Sequence, residues 1–130
     1  MKRPVHISEV AAETWDPGTD REIRGKPLCD VGGAAKVGVG HLELPPGSTT
    51  RPSHWHSLEE EHIYALSGQA TLHLGTEQFT LRAGSYVCFP AGQEVGHHLE
   101  NVGSVPFTYI IVGERISGDK VTYPDGDGAK

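Results

Sequence analysis

The chain has only two cysteines and one methionine, and no apolar run approaches the roughly 20 residues that a membrane-crossing helix needs. No transmembrane helix and no membrane partner are expected. The opening Met1-Lys2-Arg3-Pro4 leads into polar, acidic sequence without the apolar stretch of a secretory signal, so a cytoplasmic protein is expected. Cys29 and Cys88 lie far apart and form no CxxC pair, which in that compartment implies free thiols rather than a disulfide. Positive charge is also short, with 11 Lys and Arg against 17 Asp and Glu and a net charge of −6. No basic cluster could follow a phosphate backbone, so nucleic acid is excluded as a partner. A sustained 3.6-residue apolar period is missing from the middle of the chain, which argues against a helical bundle.

Turn formers, by contrast, are abundant. Seventeen glycines and nine prolines divide 130 residues into short segments that alternate in polarity or are β-branched. Strands are predicted at 37–44, 62–66, 70–74, 78–82, 86–89, 97–101 and 107–112, with Gly75-Thr76 as a two-residue hairpin loop. Short strands separated by turn signals at intervals of about ten residues indicate an all-β sandwich or barrel. The length suits one domain that buries about two-thirds of its unfolded surface. Residues 1–34 are expected to wrap the barrel or add an edge strand, 35–116 to form the barrel, and 117–130 to make a polar, Gly/Asp-rich tail with mobile last residues.

Eight histidines are many for this length, and position must separate them. On a strand, residues i and i+2 share a face with Cα atoms about 6.5–7 Å apart. His54 and His56 can therefore aim at one point while Trp55 faces away, and two imidazoles so placed can share a divalent ion. Alone this HxH is weak evidence. A carboxylate run at Glu59, Glu60 and Glu61 and a His97-His98 pair beyond a Pro-Gly turn strengthen it.

With these residues the chain resembles the cupin superfamily of double-stranded β-helix proteins. The family's first motif is matched by Gly47, His54-Trp55-His56, Glu61 and Gly68. Only Glu61 has both a permitted distance from His56 and a glycine at the required offset. The second motif is matched by Gly84, Pro90-Ala91-Gly92, His97 and Asn101. The Gly47-to-His54 spacer is one residue longer than the commonest form, and the Gly92-to-His97 interval is two longer. That longer interval leaves His98 as a rival to His97; the Asn101 offset favours His97, and strand alternation then turns His98 outward. "EEEHIYALSG", "FPAGQEVGHHLEN" and "VGER…YPDGD" look more narrowly like small single-domain bacterial cupins.

The resemblance implies an all-β jelly-roll barrel holding one metal through His54, His56, Glu61 and His97. Three neutral imidazoles and a carboxylate suit Fe, Mn, Ni, Zn or Cu better than Ca or Mg. If the ion is five- or six-coordinate, four protein ligands leave one or two positions for water or a chelating substrate, and an open position distinguishes a catalytic site from a closed one. The expected function is a metal-dependent enzyme of isomerase, dioxygenase or lyase type acting on a small polar or anionic metabolite. The alternatives are a non-catalytic module that binds a sugar or small acid, and a scaffold with a structural metal. His41 and Tyr109 are the candidate proton carriers, since barrel-facing strand positions could put them near the ion; His41, sharing a face with Val37 and Val39, could instead sit on a second packed face, and Tyr109 reads first as core or barrel lining. Glu59 and Glu60 read as a solvated turn or salt bridge, His62 as an outer-face or interface residue, His73 as exposed and Cys88 as a small buried thiol. Arg51 could meet an anion at the mouth or be a surface charge. Cupins commonly dimerise through an outer sheet face, so a homodimer is expected, with Tyr64 and Leu66 as interface candidates.

Overall fold

The computed structural model describes residues 3–33 and 36–125. Strands dominate it: β1 (Glu13–Trp15), β2 (Ile23–Pro27), β3 (Val37–Leu44), β4 (Trp55–His56), β5 (Glu61–Ser67), β6 (Gln69–Leu74), β7 (Glu77–Arg82), β8 (Tyr86–Phe89), β9 (His97–Glu100), β10 (Phe107–Glu114) and β11 (Val121–Thr122). A 3-10 turn at Ile7–Glu9 and a five-residue helix, α1 (Leu28–Gly32), complete the elements. Among the described residues no helix is long and apolar enough to cross a membrane.

Six strands form one sheet in the order β1-β2-β3-β10-β5-β8, and β7-β6-β9 form a second. Antiparallel bridges from Thr49 to Glu100 and from His54 to His97, with the β4-β11 pair, continue the second sheet across the barrel. Between the sheets lies a core of Leu44, Ile63, Ala65, Leu72, Leu99, Phe107 and their neighbours. Strand alternation places them there: on β10, Phe107 and Tyr109 are buried while Thr108 and Ile110 are more exposed, and on β5, Ile63 and Ala65 alternate with Tyr64 and Leu66.

The strands at 37–44 and 86–89 lie as their alternation predicts, and the other five differ by a residue or two at their ends. The Gly75-Thr76 loop joins Leu74 to Glu77, with Gly75 at φ +60°, the left-handed region a primed hairpin turn requires. Gly68 has a stricter reason to be glycine. A Cβ there would lie 2.2 Å from the Pro106 carbonyl oxygen, so any side chain would push the β5-β6 turn off the strand beside it. The second-motif asparagine is structural: the buried Asn101 side chain donates to the carbonyls of Leu44 and Val105, both at 2.9 Å, and accepts from the Gly103 amide.

The N-terminal segment takes the edge-strand form. β2 pairs with β3, and β1 pairs with β2, which brings Trp15 over Gly25 and Leu42. The stretch expected as a polar tail supplies β11, paired with β4, and sets Asp119 behind His56. The expectation of mobile last residues falls on 126–130, outside the described residues.

Candidate metal centre

The four motif residues converge at one end of the barrel, each by a separate local device. The His54–His97 bridge is made by reciprocal backbone hydrogen bonds of 3.2 and 3.1 Å, and this places the two imidazoles side by side with centroids 4.7 Å apart. His56, two residues beyond His54, presents its ring edge-on to His54 at 5.1 Å. Glu61 opens β5 on its inner face, opposite Phe89 and Gly113. Gly113 lies directly beside it, where a Cβ would sit in ordinary van der Waals contact, 3.5 Å from Glu61 Cγ. Phe89 lies flat on the His97 ring, 3.6 Å between centroids, and fixes its plane.

All three imidazole Nε2 atoms gather around a single oxygen. Glu61 Oε1 lies 3.2 Å from His97, 3.4 Å from His56 and 3.8 Å from His54. Donor atoms of His54, His56 and Glu61 all lie within 4.8 Å of one another, so this group could hold a metal ion, and His97 joins it through its contact with Glu61. Burial alone would raise the Glu61 carboxyl, but hydrogen bonds to His54 and His97 and the charges of His97 and His56 outweigh it. The group is held well below the usual carboxylate range. His97 is pushed the opposite way from a normal ion-pair partner: burial lowers it, more than its contact with Glu61 raises it. An ionised carboxylate facing a neutral buried imidazole is the protonation state that ligation requires.

Behind His56 stands a carboxylate that the motifs do not include. Asp119 Oδ2 lies 2.7 Å from His56 Nδ1, while Oδ1 accepts from the amides of Leu58 and Glu59 at 2.8 and 3.0 Å. Burial pushes the Asp119 carboxyl up, but the His56 contact and the two amides bring it below its ordinary value. This arrangement holds the proton on His56 Nδ1 and turns the Nε2 lone pair toward the cluster, the usual role of an outer carboxylate behind a metal-bound histidine. Glu59 adds a longer contact to the same nitrogen, 3.5 Å, and its other oxygen accepts from the Ile116 amide. Nothing in the spacing around Asp119 announced it. The available signal was a lone aspartate within the Gly/Asp-rich stretch.

Of the two residues expected as proton carriers, one faces outward and the other inward. His41 lies on the outer face of β3, across from Lys26 and Ile110, because Leu42 and Leu44 occupy the inner positions. It borders an outer cavity with Arg24, Lys26 and Glu43, away from Glu61. Tyr109 does point inward, at 2% exposure, stacked on Phe107. Burial first, and then the Glu61 charge, push its hydroxyl far above the usual value, so it stays protonated at neutral pH. His98 faces outward as alternation requires, stacked on His73 and touching Ser53. Arg51 is tied to Asp20 at 2.9 Å.

A cavity of about 310 Å³ opens onto Glu61 between the first two edge strands and β10. Trp15, Leu42 and Ile111 make it apolar, Gly113 leaves space beside the carboxylate, and Arg115 stands at its rim. The Arg115 guanidinium passes over Gly38 and contacts Cys29 Sγ at 3.0 Å and Asp30 at 3.5 Å.

This all-β barrel with an inward histidine-carboxylate cluster has known counterparts. Residues 40–113 match the family model of the cupin domain, and the chain belongs to that family. An uncharacterised protein of Methanocaldococcus jannaschii is 31% identical over 75 residues, which is 58% of each chain, so the present chain spans little over half of that relative's length. Among solved structures, a candidate sugar phosphate isomerase from Acidithiobacillus ferrooxidans superposes with a TM-score of 0.84 at 29% identity, over 92% of this chain and 77% of its own. A cupin-superfamily sugar phosphate isomerase from Silicibacter pomeroyi gives 0.86 at 23% identity, over 96% and 83%.

Proposed function

We propose that His54, His56, Glu61 and His97 hold one divalent transition metal, from among Fe, Mn, Ni, Zn and Cu, and that the protein is a metal-dependent enzyme acting on a small polar or anionic metabolite. The observation that carries this reading is the convergence of three Nε2 atoms on Glu61 Oε1 at 3.2–3.8 Å. A divalent ion held there would polarise a substrate carbonyl or carboxylate. The chain itself does the rest. Asp119 fixes the tautomer of His56, Phe89 the plane of His97, and Trp15, Leu42 and Ile111 give one side of the cavity an apolar wall. Arg115 supplies positive charge at the rim, suited to an anionic group on the substrate. The likeness to a candidate sugar phosphate isomerase supports isomerisation of a phosphorylated sugar ahead of dioxygenase or lyase chemistry.

The test is elemental analysis of protein purified without added metal, alongside His56→Ala and His97→Ala. Measured in Cys88→Ser protein, which removes the thiol that β8 places beside His62, one metal per chain, lost when either variant is added while circular dichroism shows an intact fold, is the expected result. Metal retained by both variants would refute the site. The outer-face position of His41, away from the cluster, favours one second reading, a non-catalytic module that captures a sugar or small acid. A thermal shift with phosphorylated sugars but no turnover of any of them would select it. We also read Tyr64 and Leu66, 49% and 38% exposed on the outer face of β5, as the surface through which two copies pair. A monomeric mass by light scattering at micromolar concentration would exclude the dimer. The free state of Cys29 and Cys88 accords with a reducing, cytoplasmic setting.

A further inference from the structure

The outer face of β5 carries a second set of metal-capable side chains, chemically unlike the first. Glu60 and His62 lie two residues apart and so share that face, and Cys88 on the edge strand β8 is the direct cross-strand partner of His62. Carboxylate, imidazole and thiol donor atoms all lie within 4.8 Å of one another. His62 Nε2 is 2.8 Å from Glu60 Oε2, and its Nδ1 is 2.7 Å from the Tyr86 hydroxyl. The backbone at Glu60 is pinned from both sides, because its amide donates to the Glu114 carboxylate at 2.9 Å and its carbonyl accepts the Glu114 amide at 3.1 Å. Two of the donors are therefore set by sheet register and the third by a fixed turn, rather than by chance proximity of long surface side chains.

We propose that Glu60, His62 and Cys88 form a second metal site, for a thiophilic divalent ion of the zinc class, with solvent in the fourth position. Thiolate, imidazole and carboxylate bind zinc at about 2.3, 2.0–2.1 and 2.0–2.2 Å, and donor atoms within 4.8 Å of one another are close enough to share one such ion. Coordination releases the thiol proton to solvent, shifts the imidazole proton from Nε2, where it faces Glu60, to Nδ1, where it is donated to the Tyr86 hydroxyl, and replaces the Glu60–His62 contact with two metal bonds. Tyr86 stays hydrogen-bonded to the other ring nitrogen and orients the imidazole, much as Asp119 orients His56. The ion ties β8, the last strand of the six-stranded sheet, to its neighbour β5. This site does not depend on the inner one. Glu61 faces the opposite way, and the inner cluster contains no sulfur.

Sulfur makes the two sites separable in one experiment. Cobalt(II) is titrated into metal-stripped, reduced protein, and a near-ultraviolet thiolate-to-cobalt charge-transfer band is followed. A band that saturates by two cobalt per chain, as both sites fill, is expected, and by one in His56→Ala; Cys88→Ser abolishes it and Cys29→Ser retains it. His62→Ala and Glu60→Gln, both on the surface, should each raise the cobalt needed for half-saturation by about tenfold or more. The zinc-dependent rise in melting temperature should also shrink in Cys88→Ser. The proposal fails if the wild-type protein shows no band, if the band survives Cys88→Ser, or if it ignores His62→Ala. Loss of inner-site metal in His56→Ala would leave the band in place, so the two sites stand or fall separately.

Discussion

Glu60 and Glu61 are neighbours in the chain and belong to different chemical environments. Glu61 points into the barrel, its side chain 18% exposed, and meets three imidazoles; Glu60 points outward, 47% exposed, and meets His62. The β pleat alone accounts for this division, since successive side chains leave opposite faces of the sheet. The energetic consequences differ sharply. A charge on the inner face is desolvated and must be matched by partners, whereas one on the outer face is largely screened by water. The histidines follow the same rule: His97 and His56 inside are coupled to carboxylates in a tight cluster, and His62 and His98 outside form smaller polar contacts.

Inner and outer faces can be told apart by mutation, and the largest effect is expected at Glu61. Glu61→Ala removes the oxygen that all three imidazoles surround and should eliminate inner-site metal on elemental analysis; full occupancy in that variant would dissolve the distinction between faces. Asp119→Asn comes next. It keeps the shape but removes the charge behind His56, and a loss of about 10–100-fold in metal affinity by competitive chelation is expected. An unchanged affinity would reduce Asp119 to a loop pin.

A smaller effect separates the faces by pH. His98 is pushed down to about 4, by burial first and then by the neighbouring His73 charge. Its folded value therefore lies below the unfolded one of about 6.5, so the unfolded chain binds the extra proton. Its contribution is complete above the unfolded value and is lost as pH falls toward 4. The melting temperature of metal-free protein should drop across that window, and His98→Gln should flatten part of the drop. Equal slopes in both proteins would show that the outer histidine pair contributes nothing. The least effect belongs to His41→Ala, which should leave metal content unchanged and alter stability by no more than about 0.5 kcal/mol. A marked loss of metal there would overturn its outer-face position.

Much of this was legible in the chain. Period-two alternation located seven strands, and the offset from Gly68 singled out Glu61 from three glutamates. Gly68 must be glycine because a Cβ would strike the Pro106 carbonyl, so the motif's spacing reflects a packing constraint. His41 shows where such reading stops. Parity within a strand says which residues share a face but not which face is inward, and the glycines at 38 and 40 blur the apolar signal that would have decided it. Trp15, Arg115 and Asp119 were beyond reach for another reason. They approach Glu61 and His56 from distant segments, brought in by the pairing of β1 with β2, of β10 with β5 and of β11 with β4.

By itself the sequence determined the all-β class and the strand rhythm, because alternation is a local property of the backbone; the four-residue address for a metal came from the resemblance of its motifs to the cupin family. Only the tertiary structure decided that Asp119 backs His56, that Trp15 and Arg115 border the cavity on Glu61, and that Cys88 meets His62. Those contacts depend on sheet register between segments far apart in the chain, and register follows from how the whole barrel closes around its core.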